Sequence, residues 1–176
     1  ENFYVYNGNT LVQEMLLSTS QYVEGEFRNI GLNVTPGQKT ITMADTSRID
    51  FLTNLDRTMT STDTIHYLLG SKTELASTQN DRDRYLYRTV NHGAQSKVGV
   101  VTVFRLQYFT HSGELLPTPV PADRLTEIHV VEVTIEVQNP YAVSRQGAAQ
   151  TPGQRTALYS SSIWQQTRLS SQNSRR

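Results

Sequence analysis

The sequence predicts an α+β domain in which one long amphipathic helix packs on antiparallel β-sheet. Apolar residues recur at three- and four-residue spacing only near the start, over residues 10–33. After Gly37 the period shortens to two, with turn residues between short apolar runs. The connections between those runs are too short to hold the crossover helices that parallel strands require, so the sheet is expected to be antiparallel.

At 176 residues the chain suits one domain. It divides into an N-terminal extension or helix remainder (1–9), a globular domain (10–169) and a polar, basic tail (170–176). Sixteen basic residues balance sixteen acidic ones, so no net field draws in nucleic acid or an anionic membrane surface. The chain has no cysteine, which excludes a disulfide framework and any thiolate metal site. No apolar run reaches the roughly eighteen residues needed to span a bilayer.

In the helix, Thr10 and Gln13 fit a capping box, and Leu11, Val12, Met15, Leu16, Thr19, Tyr22, Val23, Phe27 and Ile30 form the apolar stripe. Glu14 and Glu24 occupy polar positions. Gly31, able to take φ > 0, is expected to end the helix, with Pro36 preventing continuation. Gly25 costs up to about 1 kcal/mol relative to Ala, so a bend or a close approach is expected there.

Strands are expected over 39–44, 48–55, 64–69, 85–90, 99–109, 127–138 and 157–169. Residues 56–62 read as a polar hairpin loop, 70–81 as a turn region and 146–156 as a further loop. In the 99–109 strand, Phe104, Leu106 and Tyr108 share one side and Arg105 and Gln107 the other. The 127–138 strand sets Val131, Val133, Ile135 and Val137 against Glu132, Thr134 and Glu136, one face core and one face water. The last strand carries the only tryptophan, Trp164. No repeat at a solenoid period is present.

Motifs for chemistry are scarce. Neither phosphate-binding glycine pattern occurs, and Ser160-Ser161-Ser162 lacks the elbow of a nucleophilic serine. The four histidines, His66, His92, His111 and His129, are isolated along the chain, and His129 shares a face with Val131 and Val133 as a core histidine would. Glu132 and Glu136 stand about 13 Å apart along one strand, beyond the roughly 5 to 9.5 Å of a glycosidase pair. Asp81 and Asp83 lack the rest of a calcium loop. Asp56 and Asp63 bracket a loop where a cation would first be sought, although a solvated loop is preferred. Tyr85 and Tyr87 among Arg82, Arg84 and Arg88 carry no base-stacking signature, and Asn33-Val34-Thr35 is a short glycosylation-type pattern. No catalytic, cofactor-binding or metal residues are assigned, and no cofactor, catalytic turnover or nucleic-acid partner is expected.

The order of these features resembles a known family. Glu26-Phe27-Arg28-Asn29-Ile30-Gly31-Leu32-Asn33 resembles the helix end of type IV minor pilins and type II secretion pseudopilins, particularly the J-type and W-type members, where an arginine precedes a small-residue stop. Ile49-Asp50-Phe51 and Thr64-Ile65-His66-Tyr67-Leu68-Leu69-Gly70 look like that family's first sheet strands. Leu86-Tyr87-Arg88-Thr89-Val90 resembles its L-Y-R strand, 98–109 the strand after it, 128–137 the long late strand and 159–173 the C-terminal stretch.

The resemblance implies a non-enzymatic filament subunit of a type IV pilus or a type II secretion system. Its partners would be other pilin or pseudopilin subunits, and Glu14 and Glu24 would lie at the assembly interface. It also implies a prepilin leader and an apolar half-helix upstream of Glu1, anchoring the subunit in the inner membrane with the domain periplasmic or on an extracellular filament. The isolated domain would then be mostly monomeric. Asn7-Gly8-Asn9 is expected to interrupt the helix leading out of the membrane. The alternative is a secreted β-rich carbohydrate- or protein-binding domain.

Overall fold

The computed structural model describes residues 2–35, 37–56, 62–75, 80–138 and 162–170, with side chains in the first helix described from Thr10 and in the last strand from Gln165. Helix α1 (Asn2–Phe27) is followed by strands β1 (Ile41–Ala44), β2 (Arg48–Thr53), β3 (Asp63–Leu69), β4 (Arg84–Val90), β5 (Ser96–Val101), β6 (Val103–Phe109), β7 (Val130–Gln138) and β8 (Ser162–Ser170). Every pairing among these strands is antiparallel, as the short connections require. The architecture is thus α+β, but with two sheets instead of one: a five-stranded sheet in the order β1-β2-β3-β4-β5 and a three-stranded sheet in the order β6-β7-β8.

The split falls inside what reads as a single strand over 99–109. At Thr102 the chain leaves the first sheet: its N–H donates to the Glu136 carbonyl at 2.8 Å, as the chain enters β6 on the second sheet. Val101 and Phe104 are both buried, three positions apart. That odd step shifts the inward parity by one residue and lets both strands feed the same core.

One buried stripe of α1, Val12, Leu16, Val23 and Phe27, faces that core. Phe27 meets Phe51 and Tyr67 edge-on, with ring centroids 5.5 and 5.4 Å apart. Thr19 presses against β5, where a Cβ on Gly99 would collide with the Thr19 hydroxyl oxygen. Gly99 is therefore what lets helix and strand approach.

Several expectations for the helix are corrected. It runs through Asn7-Gly8-Asn9 and through Thr10, so those residues neither interrupt nor cap it. It ends at Phe27 rather than 33, giving way to turns in which Ile30 N–H bonds Phe27 O and Leu32 N–H bonds Asn29 O. Gly31 does take φ 75°, and its N–H donates to Leu52 O at 2.8 Å, tying the turn to β2. Leu11 and Tyr22 lie outside the buried stripe, exposed by 41% and 48%. Gly25 allows no close packing on its side-chain side, since a Cβ there would have no neighbour within 4 Å, although its carbonyl accepts from Asn29 Nδ2 at 3.0 Å.

Two strand-face expectations also change. The Glu132 side chain is 5% exposed rather than solvated, because Arg168 Nε at 2.5 Å and Gln166 Nε2 at 2.6 Å cover it from β8. His129 precedes β7 and is half-buried, edge-on to His111 with centroids 4.6 Å apart, rather than a core residue. The 146–156 loop, Ser160, Ser161, residues 57–61 of the 56–62 loop, residues 157–161 of the expected last strand, the 171–176 part of the tail and the Trp164 side chain lie outside the described residues. None of the described helices is long and apolar enough to cross a membrane.

Candidate assembly site

At 100° per residue, α1 turns its buried stripe to one side and leaves the rest of its circumference outward. The outward arc carries Leu11, Glu14, Leu17, Ser18, Gln21, Tyr22, Gly25 and Arg28. Leu17 is 56% exposed, more than any other large apolar residue described on α1, and Leu11 and Tyr22 flank the polar centre from the other side. Glu14 sits between them, exposed, with no hydrogen bond or ion pair among the described residues. This arc is an apolar-flanked, uncovered helix face with one carboxylate at its centre.

Glu24 stands elsewhere. It borders the buried stripe on the side of the three-stranded sheet and accepts from Gln165 Nε2 and Thr167 Oγ1 of β8, both at 2.7 Å. Arg28, one turn on, approaches its other oxygen at 3.6 Å. With its side chain only 20% exposed, Glu24 attaches the helix to β8 and stands apart from Glu14, with which the resemblance groups it.

Glu26 appears in the sequence only as the first residue of the helix-end motif and is not a candidate site residue, yet it forms a forked, charge-assisted attachment of the helix. On the opposite border of the stripe it receives a forked contact from Arg88 of β4, Nη2 at 2.5 Å and Nε at 2.8 and 2.9 Å, and the Tyr67 hydroxyl of β3 at 2.5 Å. Both charged side chains are largely buried, Glu26 16% and Arg88 13% exposed. Tyr22 lies beneath the guanidinium at 5.8 Å. The Glu26 contact raises the Arg88 pKa. Burial, then the Glu26 charge and hydrogen bond, push the Tyr67 hydroxyl far above its ordinary range. Glu26, Tyr67 and Arg88 each fall in a separate motif of the resemblance, but nothing in the sequence joins them, since Glu26 and Arg88 are 62 positions apart.

Several of the other candidates are engaged in structural contacts. Asp63 accepts from Leu55 N–H and Asn91 Nδ2. Asp50 takes Arg48 at 2.7 Å and His66 Nδ1 at 3.1 Å. Arg82 pairs with Glu136, Lys97 covers the Tyr85 ring at 3.8 Å, and Tyr87 donates to Glu74. His111 and His129 are the pair of histidines that converge, and no third His, Asp or Glu joins them to make a metal-holding group among the described residues.

No protein-family model and no curated protein matches the sequence. A solved structure does: a type IV-like pilin from Thermus thermophilus superposes with a TM-score of 0.56 over 93% of this chain and 98% of that one, at 10% sequence identity. At that identity the likeness concerns architecture, and the architecture of this chain is pilin-like.

Proposed function

We propose that the chain is a non-enzymatic structural subunit of a type IV pilus or type II secretion filament, joined to sibling subunits through the outward arc of α1. The observation that carries this is the uncovered face of Leu11, Glu14, Leu17 and Tyr22 on the helix of a pilin-like domain. Exposed apolar residues clustered around a polar centre gain free energy by burial against a partner, at roughly 25 cal/mol per Å². Glu14 would set register against a cation on the neighbour. Inner-membrane anchoring would come from an apolar segment upstream of Glu1, as in the family that the sequence resembles. The isolated domain would be largely monomeric, since this arc alone is narrow for a stable dimer.

The experiment is co-purification of the full-length precursor, expressed with its sibling pilins, carrying Leu11→Glu and Leu17→Glu together. Recovery of siblings should fall at least tenfold while the melting temperature of the isolated domain stays within a few degrees. Undiminished recovery would overturn the reading and favour the secreted binding domain.

A further inference from the structure

The outer face of the three-stranded sheet, opposite α1, holds a second feature. Register sets Val103, Arg105 and Gln107 of β6 opposite Glu136, Thr134 and Glu132 of the central strand β7, with Gln166 and Arg168 of β8 on the far side of Thr134 and Glu132. A shallow cavity of about 380 Å³ opens there, lined by Val103, Arg105, Thr134, Glu136 and Gln166. That volume falls at the small end of ligand pockets, roughly 300–1,000 Å³, and suits one or two sugar rings more than a folded partner.

Charge decides what enters. Among the described residues, three arginines and two glutamates meet on this face. Glu132 is held by Arg168, itself stacked 4.8 Å over the Phe109 ring, and Glu136 by Arg82 at 3.3 Å and the Thr102 hydroxyl at 3.2 Å. Arg105 lies diagonal to both carboxylates, yet it makes no ion pair or hydrogen bond among the described residues. Among the described residues, three positive charges against two negative ones leave one positive charge, presented at Arg105 on the cavity wall.

The geometry points to a binding site for a carboxylate-bearing sugar, a uronate residue of an acidic glycan. The guanidinium fork of Arg105 matches a single carboxylate in two parallel hydrogen bonds. Thr134, which both donates and accepts, the Gln166 amide oxygen and the acceptor oxygens of Glu136 suit the ring hydroxyls. Val103 supplies an apolar patch for the ring's C–H face. A phosphate dianion is disfavoured, because one net positive charge would confront it with two carboxylates. An acidic peptide side chain would satisfy Arg105 and leave the hydroxyl-binding groups without partners. The site does not depend on the α1 arc, so the assembly reading and this one stand or fall separately.

The test is a titration of the 176-residue chain with trigalacturonate, followed by NMR and calorimetry, beside neutral trigalactose, inorganic phosphate and a triglutamate peptide. Trigalacturonate should shift the resonances of Val103, Arg105, Thr134 and Gln166, with affinity at least about tenfold above each of the other three probes. Arg105→Gln should lose about tenfold or more, and Arg105→Lys should lose part of that, since a point charge cannot replace the fork. Both variants should melt as the wild type does, because Arg105 has no ion-pair or hydrogen-bond partner among the described residues. Equal binding of neutral sugar, phosphate or peptide, retained affinity in Arg105→Gln, or no shifts at millimolar trigalacturonate would each overturn the assignment.

Discussion

Glu24 and Glu26 stand two residues apart on one helix, on opposite borders of the same buried stripe, and they attach it to different sheets by different chemistry. Glu26 meets the five-stranded sheet through a charged fork and a phenol, with both ions largely buried. Glu24 meets the three-stranded sheet through a neutral amide and a neutral hydroxyl, and the cation beside it, Arg28, is 63% exposed at 3.6 Å. Removing a carboxylate charge leaves a buried arginine uncompensated in the first case and two neutral donors in the second. The loss of the first attachment is therefore expected to cost about 1–2 kcal/mol more than the loss of the second.

The largest effect should come from the apolar wedge on the Glu26 side. Phe27→Ala removes a ring that is fully buried between Phe51 and Tyr67 and should cost about 3–5 kcal/mol in urea unfolding. A loss under about 1 kcal/mol would show that the helix contributes little to that core.

Glu26→Gln keeps the volume but strands Arg88, and should cost about 3 kcal/mol. A double-mutant cycle with Arg88→Met should recover a substantial part of it, because removing both partners removes the uncompensated charge. Additive losses would mean that the fork is not the source. Glu24→Gln should cost about 1–2 kcal/mol, the difference between charge-assisted and neutral hydrogen bonds. A cost equal to that of Glu26→Gln would abolish the distinction between the two borders.

Alkaline pH sharpens the comparison further. Tyr67 and Tyr108 both have raised pKa values, each chiefly through burial, with the Glu26 charge adding to the first and the Asp45 charge to the second. The stabilising contribution is complete below the ordinary tyrosine value near 10 and declines above it, since the unfolded chain then releases protons that the folded chain retains. Urea midpoints should fall between about pH 9.5 and 11, and Tyr67→Phe should flatten that fall. An unchanged slope would remove Tyr67 from the cluster.

The smallest effect lies between the two glutamates. A methyl group at Gly25 meets nothing within 4 Å, so Gly25→Ala should stabilise the isolated domain by up to about 1 kcal/mol. Destabilisation, read as a lower melting temperature, would mean that the helix surface there is packed after all.

Much of this fold is legible in the sequence. The helical stripe of Val12, Leu16, Val23 and Phe27, the turn at Gly31 and the inward sets on β3, β6 and β7 follow from periodicity, because side-chain direction is a local property of backbone geometry. The second sheet is not legible there, because Thr102 interrupts a run whose residues are equally at home in either sheet. Leu11 and Tyr22 mislead for a related reason: they sit at the margin of an apolar arc, and only the position of the sheets decides which margin is covered.

By itself, the sequence determined an α+β order, one amphipathic helix, antiparallel pairing and most of the residues that enter the core. Tertiary structure alone decided that Glu26 closes on Arg88 and Tyr67, that Glu24 belongs to β8, and that Arg105 stands on the wall of a cavity. The reason is range. Periodicity and turn chemistry act over a few residues, where the backbone dictates the outcome. Ion pairs joining positions 26 and 88, or hydrogen bonds joining 24 and 167, depend on which sheet each strand enters and on the charges it meets there.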